Sequence, residues 1–254
     1  MASEFIPYGP DSMMWKINRE RLVLLCGPAA AILQAAHPQV AMGVAAHSHY
    51  RTDPFGRLRR TLDAVYTIAF GSVEDVEQTR RVLARIHAAV KGQGYSAFDT
   101  GAQGWVLATL IMGSVTMYER FVGRLTTGER DQFLRENVRF GEVFGLDPDW
   151  LPTTWEAFMT YWQDMLSGSL LGSNPLCAEV TAAVLCPPAP WFARLLSPVF
   201  RSLTVEFIPA PLCQRLLISP SRLPLWSLLD HLLPSLLRVA PRCLRYARQY
   251  LQVA

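Results

Sequence analysis

The apolar positions of this chain recur at helical spacing, and no run of four to eight residues between turn signals alternates with the two-residue period of a strand. From Val73 to Lys91, the residues Val76, Leu83, Ile86 and Val90 predict the apolar face of a helix. Ser72-Val-Glu-Asp75 opens it as a capping-box-like start, and Gly92 is expected to close it as a left-handed cap. The preceding segment carries two stripes, Arg57, Thr61, Ala64 and Ile68 beside Leu58, Leu62, Val65 and Ala69. Arg57 and Thr61 therefore stack one turn apart at the edge of a buried face. Pro28 and Pro38 sit where a first helical turn tolerates proline, Asp99 can cap a further helix, and Thr126-x-x-Glu129 and Thr153-x-x-Glu156 fit the capping box. Gly145 can end the helix between those last two.

Two stretches lack Asp, Glu, Lys and Arg. Leu22 to Tyr50 is long enough to span a bilayer, but Gly27, Pro28, Gln34, His37, Pro38 and Gln39 interrupt it, which fits two short buried helices better than one span. Thr100 to Tyr118 carries Gln103, Ser114, Thr116 and three glycines, and also reads as a core helix beside a large apolar pocket. After about Ser173 the chain changes character. Pro175, Pro187, Pro188, Pro190, Pro198, Pro209, Pro211, Pro220, Pro224, Pro234 and Pro241 divide it into short pieces, with leucine-rich stretches such as LPLWSLLDHLLPSLL between them. These pieces read as short helices packed round the core; the alternative is a lid or membrane-surface patch over an apolar cavity. The expected architecture is all-α, a single-domain helical bundle, with a core over about 22–173 and a Pro/Leu-rich C-terminal extension over 174–254.

Composition narrows the function. Half the residues are apolar and 18% are charged, which excludes a disordered chain. The net charge is +3, and arginine outnumbers lysine, present only as Lys16 and Lys91. The arginines are scattered apart from Arg57, Arg59, Arg60 and the Arg80–Arg81 pair, which argues against a nucleic-acid surface. Five cysteines, Cys26, Cys177, Cys186, Cys213 and Cys243, form no C-x-x-C pair and fit neither a zinc ribbon nor a disulfide framework. The opening MASEFIPYGPDSMMWK lacks the basic and apolar regions of a secretory leader, so a cytoplasmic location is expected.

Five histidines are present: His37, His47, His49, His87 and His231. His47 and His49 are two apart and do not share a helix face, and no H-E-x-x-H spacing occurs; Asp53 could pair with one of them. His87 lies one turn beyond Leu83 and three residues before Val90, within the apolar stripe of its helix. It reads either as a satisfied core histidine or as a neutral imidazole held on a rigid helix over an apolar cavity, the arrangement a haem ligand needs. For Arg57 and Thr61 the choice is similar. An arginine can fork onto a carboxylate such as a haem propionate, and a threonine can donate to a bound oxygen; or the arginine is in water and the threonine bonds its own backbone.

Taken in order, several blocks resemble one family. GPAAAILQAAHPQVAMGVAAHSHYRTDPFGRLRRTLDAVYTIAFGS is similar to the opening block of MpaB-type and rubber-oxygenase catalytic domains, and RRVLARIHAAVKG resembles the block that follows. WVLATLIMGSVTMYERFVGRLTTGERDQFLRE and LPTTWEAFMTYWQDML continue the likeness from Leu22 to Leu170, with a weaker trace through LTVEFIPAPL. The resemblance implies a haem b (iron) cofactor, with His87 as the iron ligand, Arg57 and Thr61 as the R-x-x-x-T pair of the haem pocket, and Arg60 at a basic position between them. It further implies an oxygenase that uses dioxygen to cleave a C=C bond of a small hydrophobic, isoprenoid-type substrate. Leu107 stands where many relatives have histidine, which puts in doubt any chemistry that needs a second imidazole there. Eukaryotic MpaB proteins are membrane anchored; no such N-terminal span is expected here, although peripheral membrane contact is. Two rivals stay open: a peroxidase-like or monooxygenase haem enzyme, and a non-catalytic carrier of an apolar ligand.

Overall fold

The computed structural model describes residues 7–186, 197–219 and 225–254. Residues 1–6 of the opening segment lie outside the described residues, as do Pro187, Pro188, Pro190, Pro220 and Pro224, expected to break the tail. The helices are α1 (Met13–Asn18), α2 (Gly27–Ala35), α3 (Pro38–His47), α4 (Pro54–Phe70), α5 (Val73–Ala89), α6 (Thr100–Phe121), α7 (Thr127–Val143), α8 (Trp155–Ser167) and α9 (Pro175–Leu185). They continue as α10 (Ser197–Val205), α11 (Ala210–Arg215), α12 (Leu225–Val239), α13 (Arg242–Arg245) and α14 (Arg248–Val253). Two 3-10 turns, Arg21–Cys26 and Pro148–Trp150, join some of them. The fold is all-α and forms one domain, as expected.

Helix α6 is the centre of the core. Its Trp105, Ala108, Ile111 and Met117 are wholly buried, and α1, α2, α7, α12 and the first 3-10 turn pack on it. Trp105 stacks on Trp162 of α8 at 5.1 Å and donates through Nε1 to the Leu33 carbonyl of α2 at 2.8 Å. The run from Thr100 to Tyr118 is thus a core helix, as is α2, whereas α3 buries only Ala41 and Gly43. The run from Leu22 to Tyr50 divides as expected, with Arg21–Ala35 bent by 107° against α3 at the break before Pro38. Among the described residues no single helix is long and apolar enough to cross a membrane.

The local signals place most helix ends. Ser72 accepts from the Asp75 amide and Asp75 accepts from the Ser72 amide, each at 3.2 Å, and Thr126 and Glu129 form the same reciprocal box. Asp99 caps α6, and Gly145, at φ 89°, ends α7 in the left-handed region. Three expectations are corrected. Helix α8 is capped by Thr154, whose hydroxyl accepts from Ala157, rather than by Thr153. Helix α5 ends at Ala89, before Gly92, because Lys91–Gly92 pairs antiparallel with Tyr95–Ser96. The left-handed residue of that ribbon is Gly94, at φ 81°. Finally, Ile86 is 52% exposed and leaves the expected buried face. At about 100° per residue, Val76, Leu83, His87 and Val90 share a meridian from which Ile86 is turned by roughly 80°.

The tail closes back on the body. Arg215 of α11 donates to the carbonyls of Ser167, at the end of α8, and of Gly168 and Leu171 beyond it, and Trp226 of α12 packs between Phe121 and Phe207. The wholly buried carboxylate of Glu20 receives a forked pair of bonds from Arg245, at 2.7 and 2.8 Å. Beside it the Ala247 amide donates to the Arg19 carbonyl.

Candidate functional site

Helices α4 and α5 pack together across the connection Gly71–Ser72. Arg57 and His87 each stand fifteen residues from Ser72, so both lie near the helix ends far from that turn. Asp53 starts α4 by accepting from the Gly56 amide, and its second oxygen accepts from Arg60 at 3.1 Å. Asp53 is therefore engaged with α4 rather than hydrogen-bonded to a histidine. The Arg57 guanidinium is half-buried and meets no carboxylate among the described residues. Burial, with the like charge of Arg60, holds its pKa below the usual arginine value. Thr61 is exposed, and its hydroxyl donates to the Arg57 carbonyl at 3.0 Å.

His87 sits in an aromatic clamp. Its ring meets Phe98 edge-on and lies nearly parallel to Phe144, each at 6.1 Å between centroids. Nδ1 is buried without a hydrogen-bond partner. Burial lowers the imidazole pKa, opposed by the Phe144 carbonyl, so the ring is neutral at neutral pH. No hydrogen bond, ion pair or ring contact joins His87 to Arg57, Arg60 or Thr61 among the described residues. Two cavities lie elsewhere. One, of about 440 Å³, has Ala30, Leu33, Met112, Trp162 and Phe207 in its walls; the other, of about 300 Å³, lies between Phe55, Leu58 and Arg248.

The remaining histidines part company. His47 shares a 3.1 Å hydrogen bond with the Tyr95 hydroxyl, and a ring nitrogen of His231 lies 2.6 Å from the Ser227 carbonyl. His37 is buried at the start of α3 with Nδ1 unpartnered, a second imidazole with an unpartnered ring nitrogen. Burial lowers its pKa too, against the pull of Asp99. Among the described residues no group of three or more His, Cys, Asp or Glu could hold a bare metal ion. Leu107 is buried, facing Gly141 of α7. Phe98 and Phe144, the clamp itself, lie outside every motif that pointed to His87.

Fold and site together define a helical domain with a guanidinium that meets no carboxylate among the described residues and a half-buried imidazole whose Nδ1 lacks a partner, on one helical hairpin. The chain belongs to the family described as ER-bound oxygenase mpaB/B′/rubber oxygenase, catalytic domain, whose model matches residues 15–245. That match runs well beyond the blocks between Leu22 and Leu170 and takes in most of the tail. No curated protein and no solved structure matches the chain.

Proposed function

We propose that this member of an oxygenase family is haem b-dependent and uses dioxygen to split a C=C bond of a hydrophobic, isoprenoid-type substrate. The observation that carries the haem is His87. A buried polar atom without a partner costs roughly 1–3 kcal/mol, so Nδ1 is a position that gains from a ligand. An iron ligand must be a neutral imidazole, and burial among Phe98 and Phe144 keeps this one neutral. The Phe144 carbonyl favours a proton on the ring, against the effect of burial.

Arg57 supports the same reading. A half-buried guanidinium without a carboxylate is suited to a propionate, which it can grip with two parallel bonds. Arg60, already neutralised by Asp53, adds a weaker positive field. Thr61 has committed its proton to the helix backbone, so it serves an incoming polar atom as an acceptor unless its hydroxyl rotates. When bound, haem would supply the dioxygen chemistry; the chain would supply ligation through His87 and anchoring through Arg57. Leu107 keeps its own position apolar.

The test is the absorption spectrum and pyridine haemochrome content of purified wild type, His87→Ala and His231→Ala. Wild type and His231→Ala are expected to carry haem, and His87→Ala to lose most of it. A wild-type protein without a Soret band would favour the carrier reading, and full haem in His87→Ala would place the ligand elsewhere. Oxygen-dependent carbonyl formation, set against peroxide-dependent oxidation, separates the proposed reaction from a peroxidase-like one.

A further inference from the structure

Helix α12 is apolar over about half its circumference, and the core uses only half of that arc. Trp226 is buried against Phe121 and Phe207, and Leu229, Leu233 and Leu237 pack against the core. Adjoining them, Leu228, Leu232, Leu236 and Val239 form a row at four- and three-residue spacing, exposed by 56%, 49%, 57% and 79%. An interior helix would have buried this row, and a purely solvated one would have made it polar. Leu244, just beyond on α13, is 68% exposed as well.

Charge identifies what the row fits. From Leu225 to Ala254 the only carboxylate side chain is Asp230, and Arg120 of α6 neutralises it with two bonds, at 2.6 and 2.8 Å. Of the four arginines in that stretch, Arg245 is spent on buried Glu20. Arg238, Arg242 and Arg248 are exposed and meet no carboxylate among the described residues. An apolar helix edge attended by unpaired arginines matches the interface of a bilayer, where acyl chains lie beneath anionic headgroups. A protein partner would need acidic groups to answer these charges as well as an apolar groove.

We propose that α12 docks on an anionic lipid surface, with the Leu228–Leu232–Leu236–Val239 edge in the acyl boundary and Arg238 and Arg242 among the phosphates. The proposal is independent of the haem reading. It is tested by floating the full chain with vesicles of phosphatidylcholine alone and of phosphatidylcholine mixed with phosphatidylglycerol. The chain is expected to float with the anionic vesicles, less so as salt is raised, and far more weakly with the neutral ones. Arg238→Glu with Arg242→Glu should weaken binding by roughly tenfold or more. Leu232→Glu with Leu236→Glu should weaken it by at least about a hundredfold. Both pairs are exposed, so unchanged circular dichroism is expected to accompany these losses. Wild type failing to float with either vesicle, or a leucine variant floating like wild type, would overturn the proposal. So would a stable dimer in solution that the leucine variant dissociates, since a second copy would then cover the row.

Discussion

The hydroxyl of Thr61 donates to the carbonyl of Arg57, one turn earlier on the same helix, while the Arg57 guanidinium is left without a carboxylate. The pair is thus joined through its backbone and divided in its side chains: one is internally satisfied, the other open. Arg57→Ala is accordingly expected to lower haem retention severalfold, leaving helical circular dichroism near wild type, and Thr61→Val to change retention little. Haem content per chain, measured after gel filtration, checks both. Wild-type retention and turnover in Arg57→Ala would reduce the pair to surface.

A pH effect follows from His37. Its pKa is lowered by burial in the folded chain and returns to about 6.5 on unfolding. Below that value the unfolded state takes up more protons than the folded one, so stability falls as pH falls toward the lowered folded value. The contribution to the slope is at most about 1.4 kcal/mol per pH unit. Urea midpoints between about pH 7 and about pH 5 should fall less steeply in His37→Gln than in wild type. Parallel slopes would show that His37 does not titrate in this way.

The Glu20–Arg245 fork is the third test. Arg245→Met leaves a wholly buried carboxylate with Arg19 at 3.9 Å as its remaining cation, a loss expected to cost about 3 kcal/mol. Adding Glu20→Gln removes the stranded charge and should restore more than half of it. Urea denaturation of the single and double variants reads the difference. A single variant as stable as wild type would mean that water or Arg19 satisfies Glu20.

What could be read from the sequence was what is local. The boxes at Ser72 and Thr126 and the cap at Gly145 need only residues within one turn of each other, and each stands where its pattern put it. Gly92 failed because pairing with Tyr95 overrode the stop signal, and Ile86 because an apolar residue was assigned to a face without following its angle round the helix. His87 and Arg57 could be picked out by spacing and by family likeness. The aromatic clamp could not, since nothing local ties position 87 to positions 98 and 144. Nor could the tail's attachment, where a buried glutamate meets an arginine 225 residues away.

That last separation has a consequence during synthesis. Glu20 emerges 225 residues ahead of Arg245, which at about 5–20 residues per second is a delay of roughly 10–45 seconds. In that interval its carboxylate lacks its final counter-charge, so the contact between Glu20 and the tail is among the last that the nascent chain can make.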